Sequence, residues 1–258
     1  MTYASARQLA DAVRTRDAAA IARALTIVEN QLQGCAELLA ALRQPPEAAP
    51  ADAQRVGITG APGAGKSSFI GALLAELVPQ DKKIAVLAID PSSPLSGGAV
   101  LGDRLRFGPA AASDHVFVRS MAARTSLGGL NAAINDALRV LDAAGFDLIL
   151  IETVGAGQSE VEIMRVAQTV LVLCPPGLGD EIQALKAGIL EIAHILVVSK
   201  GDLPAAATLA RDLADSLKLR RKTAWPVPVL TVSSLQRQGI AEVAQSMARH
   251  HDFIRQAA

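Results

Sequence analysis

Four stretches of the chain are apolar at almost every position: residues 84–89 (IAVLAI), 148–151 (LILI), 169–173 (TVLVL) and 195–198 (ILVV). A strand with one face in water alternates polar and apolar positions. A strand covered on both faces does not, and such runs mark inner strands of a parallel sheet held between helices. Residues 55–59 read as a further short buried strand. Residues 116–119 and 227–232 read as weaker strands, and Pro228, which lacks a ladder N–H, moves the second toward a sheet edge. Between the runs lie segments with apolar positions three and four apart, clearly so over residues 68–77. This alternation predicts an α/β fold, a mostly parallel central sheet flanked by helices and joined by right-handed crossovers. On such sheets ligands bind at the carboxyl ends of the strands.

Residues 4–43 carry no strand pattern. Leu9, Val13, Ile21, Ala24, Leu25 and Val28 repeat at helical spacing, which predicts two or three helices broken near Thr15, Arg16 and Asp17. The proline- and alanine-rich stretch that follows reads as a linker. The predicted organisation is an N-terminal helical extension (1–43), a linker (44–53) and a main domain (54–258). The helices are read first as a brace across the core; a docking element and a dimer surface are the alternatives.

Composition narrows the partners. Half of the 258 residues are hydrophobic and only 3% are aromatic, so the core is built from Ala, Val, Leu and Ile and offers no base-stacking platform. With 25 basic and 25 acidic residues, no charge excess favours nucleic acid or a membrane surface. Cys35 and Cys174 stand far apart, as buried thiols of a reducing compartment would. The start carries charges throughout, without the apolar stretch of a secretory signal, and a cytoplasmic location is expected. His115, His194, His250 and His251 show no metal-ligand spacing, and Trp225 reads as packing.

The chemistry begins at Gly60-Ala61-Pro62-Gly63-Ala64-Gly65-Lys66-Ser67, a complete G-x-x-x-x-G-K-S between a predicted strand and a predicted helix. The backbone at Gly60, Ala61, Gly63, Ala64 and Gly65, with Lys66, Ser67 and Ser68 opening the helix, points N–H groups and a positive helix end at phosphates. Lys66 is placed to reach the outer phosphates and the Ser67 hydroxyl to ligate Mg²⁺. Asp90 ends the second strand and is placed to hold Mg²⁺ directly or through water. A glycine-rich loop then closes on a second carboxylate, Asp103. Glu152 ends the central strand, where an acid addresses the metal shell or the attacking water, and the Gly155 amide is placed to sense a γ-phosphate. Ala156 stands where signalling GTPases place a water-orienting glutamine, and the nearest glutamine is Gln158, which predicts slow hydrolysis accelerated by a partner. Ser199-Lys200-Gly201-Asp202 approximates N-K-x-D. Asp202 is placed to accept the two donors of the guanine edge, which adenine does not offer, with the Lys200 stem packed over the base. Ser233, Ser234 and Leu235 follow the last strand as a brace for the base.

With these residues assembled, the chain resembles the MeaB/ArgK-type P-loop GTPases, chaperones of adenosylcobalamin-dependent acyl-CoA mutases. The resemblance is carried by Gly60 to Ser68, Asp90-Pro91-Ser92-Ser93-Pro94, and Gly97-Gly98-Ala99-Val100-Leu101-Gly102-Asp103-Arg104. It continues through Arg119-Ser120-Met121-Ala122 and Leu127-Gly128-Gly129-Leu130 to Pro176-Gly177-Leu178-Gly179-Asp180-Glu181. It is densest in Glu152-Thr153-Val154-Gly155-Ala156-Gly157-Gln158-Ser159-Glu160. It implies a GTPase whose nucleotide state gates loading, protection or repair of the cofactor of a methylmalonyl-, isobutyryl- or hydroxyacyl-CoA mutase. It implies catalysis by Lys66, Glu152 and Asp103, Mg²⁺ near Ser67, Asp90, Asp103 and Glu152, and guanine recognition by Lys200 and Asp202. The loops at 92–103, 155–161 and 176–186 would move, with Gln158, Glu160, Asp180 and Lys186 facing the client. GTP or GDP is the implied ligand, cobalamin is not expected to bind this chain directly, and an adenosyltransferase is a further candidate partner.

Two departures from the family pattern bear on these expectations. Ser199 replaces the usual asparagine, a change expected to loosen guanine preference and weaken the tie to the phosphate loop. The chain also stops soon after Val243, without the helical arm that makes the family's dimer, so a stable homodimer is not expected. A nickel- or zinc-delivery GTPase shares the core but normally carries a cysteine- or histidine-rich site. A partitioning-type ATPase would want a second lysine where Ala61 stands.

Overall fold

The computed structural model describes residues 3–43, 53–91, 106–123, 129–153, 163–177, 191–218 and 224–257. Seven strands run through it: β1 (Gln54–Gly60), β2 (Ile84–Pro91), β3 (Val116–Ala123), β4 (Leu148–Thr153), β5 (Thr169–Cys174), β6 (Ile195–Val198) and β7 (Val229–Thr231). They form one sheet in the order β3-β2-β4-β1-β5-β6-β7. Every pairing is parallel, a stricter arrangement than the mostly parallel sheet expected. The four apolar runs are all interior strands. The two weaker candidates are the two edges, and Pro228 directly precedes the short edge strand β7. The other edge, β3, runs four residues past its expected end, in register with β2 as far as Pro91↔Ala123.

The described helices are α1 (Ala6–Arg14), α2 (Ala18–Glu29), α3 (Cys35–Arg43), α4 (Lys66–Leu77), α5 (Gly129–Ala143), α6 (Ala206–Lys218) and α7 (Ile240–Ala257). The break between α1 and α2 has a local cause. Arg16 takes a left-handed conformation (φ 60°), and the Asp17 carboxylate then caps α2 by accepting from the Ala20 N–H at 2.8 Å.

The sheet is buried on both sides. Along β4, Leu148 and Leu150 join Phe69, Ile70, Leu73 and Leu74 of α4 and Val243 and Met247 of α7 in one apolar cluster. Ile149 and Ile151 point the other way, into a second cluster with α5, α6 and the three N-terminal helices. Ile21, Leu25 and Val28 are fully enclosed there, each contributing about 1.5–3 kcal/mol of apolar burial. The N-terminal helices are thus part of the core on that face, as the brace reading expects. A charged strut adds to this, since Arg119 of β3 donates to Glu29 Oε2 at 3.1 Å and Thr26 Oγ1 at 3.3 Å on α2. The proposed linker, apart from buried Ala53, lies outside the described residues.

Trp225 packs as expected: its indole N–H donates to the His194 carbonyl at 2.8 Å, and its ring meets His250 and Phe253. His194 Nδ1 accepts from the Val170 N–H, and His250 Nδ1 pairs with Thr169 Oγ1 at 2.9 Å. Cys35 and Cys174 are buried and free, and burial pushes the Cys174 thiol up to about 12. Among the described residues no helix is long and apolar enough to cross a membrane.

Candidate nucleotide site

The phosphate loop leaves the end of β1, between β4 and β5. Gly60 is required there twice over. Its φ of 143° is outside the range of ordinary side chains, and a Cβ would fall 2.3 Å from the Leu173 carbonyl oxygen of β5. Gly65 turns left-handed (φ 85°) to open α4, and the Phe69 N–H returns to its carbonyl at 2.9 Å. The loop therefore wraps the amino end of a buried helix, where backbone N–H groups converge. Lys66 is largely buried, and its ammonium donates to the Gly60 carbonyl at 2.7 Å and the Ala61 carbonyl at 3.1 Å. Those carbonyls hold the charge over the loop.

Strand order brings Glu152 to the same place. β4 lies beside β1 with Ile58 opposite Glu152, so the carboxylate emerges next to the loop. Ser67 Oγ donates to Glu152 Oε1 at 2.8 Å. Glu152 is only 2% exposed, and a buried carboxylate needs such partners because desolvation opposes its charge. Arg106 supplies another, lying 3.5 Å from Glu152 Oε2 and donating to Ser67 Oγ at 3.2 Å. Beneath them, Thr153 Oγ1 donates to Thr59 Oγ1 at 3.0 Å, locking β4 to β1 one residue further on. A hydroxyl and a buried carboxylate sharing one corner form a hard-oxygen set, which fits Mg²⁺. β2, the strand beside β4, runs on to Pro91, so Asp90 stands one residue before its end rather than ending it as expected. Asp90 is opposite Ala122 in register, and its side chain lies outside the described residues. So do Asp103, Gly155, Gln158, Glu160, Asp180 and Lys186.

The residues expected to meet the base lie at the ends of β6 and β7. Ser199 Oγ donates to the Ala64 carbonyl at 2.7 Å, in a buried contact between β6 and the phosphate loop. The tie expected to weaken with serine in place of asparagine is therefore present, because the β6 end lies close enough for a short side chain to reach. Lys200 takes a left-handed conformation (φ 52°), and the Gly201 N–H donates to the Val232 carbonyl at 2.7 Å. That turn leaves the Lys200 and Asp202 side chains exposed. Ser233 Oγ donates to Asp202 Oδ1 at 2.7 Å and accepts from the Gln236 N–H at 3.2 Å, so it fixes the aspartate's orientation. Ser234 is half-buried, while Leu235 is 87% exposed beside them.

The structure thus gathers Gly60, Ala61, Gly63, Ala64, Gly65, Lys66, Ser67, Ser68 and Glu152 into one corner at the ends of β1 and β4. A rim carrying Lys200, Asp202 and Ser233–Leu235 is tied to it through Ser199. Sequence reasoning missed Arg106. It lies outside every motif quoted above, and an arginine after a glycine-rich loop is no signal by itself.

Comparisons with known proteins bear on the fold and the family. The profile of the family described as "Methylmalonyl Co-A mutase-associated GTPase MeaB" matches residues 21–258. "GTPase ArgK" of Escherichia coli is 36% identical over 236 residues, 90% of this chain and 71% of its own. "Methylmalonic aciduria type A homolog, mitochondrial" of Caenorhabditis elegans is 40% identical over 206 residues, 78% of this chain and 52% of its own. A crystal structure named "LAO/AO transport system kinase" superposes with a TM-score of 0.80 at 28% identity, over all of this chain and 78% of that one.

Proposed function

The chain belongs to the MeaB family of methylmalonyl-CoA mutase-associated GTPases, and from that premise we propose that it is a nucleotide switch acting on an adenosylcobalamin-dependent acyl-CoA mutase. It binds guanine nucleotides and hydrolyses GTP, and its nucleotide state governs loading, protection or repair of the mutase's cofactor.

The site supports a division of labour. Lys66 gives up the Gly60 and Ala61 carbonyls to meet the outer phosphates and neutralises charge that grows in the transition state. Ser67, Glu152, Asp90 and Asp103 would hold Mg²⁺, which when bound neutralises charge on the β- and γ-phosphate oxygens. Glu152 also addresses the attacking water. The Gly155 amide senses the γ-phosphate from the segment directly after β4. Asp202, oriented by Ser233, accepts the guanine donors; Lys200 packs on the base, and Ser234 and Leu235 flank it. With Ala156 where a water-orienting glutamine would stand, intrinsic turnover is slow and the client accelerates it.

The observation that carries the switching reading is the Ser67–Glu152 hydrogen bond at 2.8 Å. It joins the metal corner to the strand that runs, two residues later, into the segment bearing Gln158 and Glu160. A change at the γ-phosphate therefore has a short covalent route to the client-facing residues Gln158 and Glu160, and Asp180 and Lys186 are proposed to face the same client. Free, buried cysteines suit work in the cytoplasm, where an adenosyltransferase would supply the cofactor.

The test is GTP turnover, by phosphate release, with and without a purified adenosylcobalamin-dependent acyl-CoA mutase, together with capture of the mutase in GTP and in GDP. Stimulation of turnover and nucleotide-dependent capture are expected. A panel of such mutases that neither binds nor stimulates overturns the reading.

A further inference from the structure

Arg106 hydrogen-bonds one and ion-pairs with the other of the two side chains that a divalent ion would need. Its guanidinium takes a lone pair of Ser67 Oγ at 3.2 Å and faces Glu152 Oε2 at 3.5 Å. With its hydrogen directed to Glu152 Oε1, Ser67 Oγ keeps two acceptor lone pairs, and Arg106 takes one of them, so a cation already stands at the oxygen a metal would coordinate. Two cations cannot share these oxygens, because their repulsion rises steeply within a few ångströms.

The anchor of this arginine is fixed. Phe107 is buried, and its carbonyl oxygen lies where a Cβ on Gly71 of α4 would come within 2.5 Å. A backbone packed that closely on a buried helix stays in place, so Arg106 yields by rotating its side chain. There is room to do so. A hollow of about 260 Å³ beside α4 is lined by Arg106 with Ser68, Ala72, Ser234 and Arg237. Among the described residues no carboxylate lines it, and Arg237 is already there. A guanidinium moved into it is stable only beside an anion, and phosphates bound at Lys66–Ser68 provide one.

We propose that Arg106 competes with the divalent ion for Ser67 and Glu152, and that it yields only when ion and nucleotide arrive together, moving to the phosphate side. This rests on the nucleotide-site reading above. It makes metal binding conditional on nucleotide, so the ion alone does not set the switch.

Isothermal titration calorimetry tests the idea with the full chain, using Mg²⁺ alone, GDP with EDTA, and GDP with Mg²⁺. The wild type is expected to bind Mg²⁺ alone only weakly. Arg106→Gln is expected to bind Mg²⁺ alone at least about tenfold more tightly, and GDP in EDTA with near-wild-type affinity, since without the ion Arg106 stays on Ser67 and Glu152. Arg106→Lys, which keeps the charge, is expected to keep the wild-type order. Tight binding of Mg²⁺ alone by the wild type overturns the proposal, and so does unchanged or weaker Mg²⁺ binding by Arg106→Gln. If the wild type binds no GDP in either condition, the nucleotide reading falls with it. Normal GDP binding with unmoved Mg²⁺ affinities removes the Arg106 competition alone.

Discussion

Ser199→Ala isolates the contact that joins the base edge to the phosphate loop. The wild-type hydroxyl donates to the Ala64 carbonyl at 2.7 Å, and Ser199 is 3% exposed. Removing the hydroxyl leaves a buried carbonyl without this donor, and water has little access to replace it. A lost buried hydrogen bond with a stranded partner costs about 1–3 kcal/mol. The alanine leaves only a hydroxyl-sized gap, which keeps the cost toward the lower end, about 1–2 kcal/mol. In a chain of this length that lowers the melting temperature by about 3–6 °C. Ala64 lies two residues before Lys66, so a looser carbonyl also loosens the loop. GDP affinity is expected to fall about five- to tenfold, with the same loss for xanthosine diphosphate because the contact touches no base. Urea unfolding followed by circular dichroism gives the stability term, and titration with fluorescent GDP and xanthosine diphosphate gives the binding term. A variant with wild-type stability and wild-type GDP affinity would refute the argument. A loss confined to GDP would also count against it, since it would place Ser199 in base discrimination.

Three further outcomes follow from the same geometry. Lys66→Ala removes the ammonium held by the Gly60 and Ala61 carbonyls, and phosphate release is expected to fall by at least about a hundredfold; near-normal turnover would place the catalytic charge elsewhere. Asp202→Asn keeps an oxygen that can accept from the Ser233 hydroxyl but exchanges an acceptor for a donor, so preference should move at least about tenfold from GDP toward xanthosine diphosphate in competition binding. His250 is held neutral by burial first, then by His194 and His251, with its pKa lowered from 6.5 to about 4. The unfolded chain takes up that proton between those two values and the folded chain does not. Stability is therefore full above about pH 6.5 and is lost as pH falls toward 4, by about 1–2 kcal/mol between pH 7 and 5. Urea midpoints at the two pH values check this, and His250→Gln should flatten the difference.

The local patterns were legible without coordinates because they depend on neighbours in the chain. The four apolar runs became interior strands, Pro228 marked an edge, and the loop from Gly60 to Ser67 joined a strand to a helix as its spacing required. The N-terminal helices were legible from their apolar spacing, since a face with Ile21, Leu25 and Val28 must be covered. What covers it was not legible, because any apolar surface would serve.

By itself, then, the sequence determined the strands and helices, the phosphate loop, and the carboxylates and hydroxyls available at strand ends. The tertiary structure decided which of them meet. Glu152 reaches Ser67 across 85 residues because the sheet places β4 beside β1. Ser199 reaches Ala64 across 135 residues because the end of β6 falls level with the loop. Arg106 acquired a role only because Phe107 is pinned against Gly71. Periodicity and spacing report on a residue's own segment, whereas these contacts follow from strand order and helix packing, which the buried faces of the whole chain settle together.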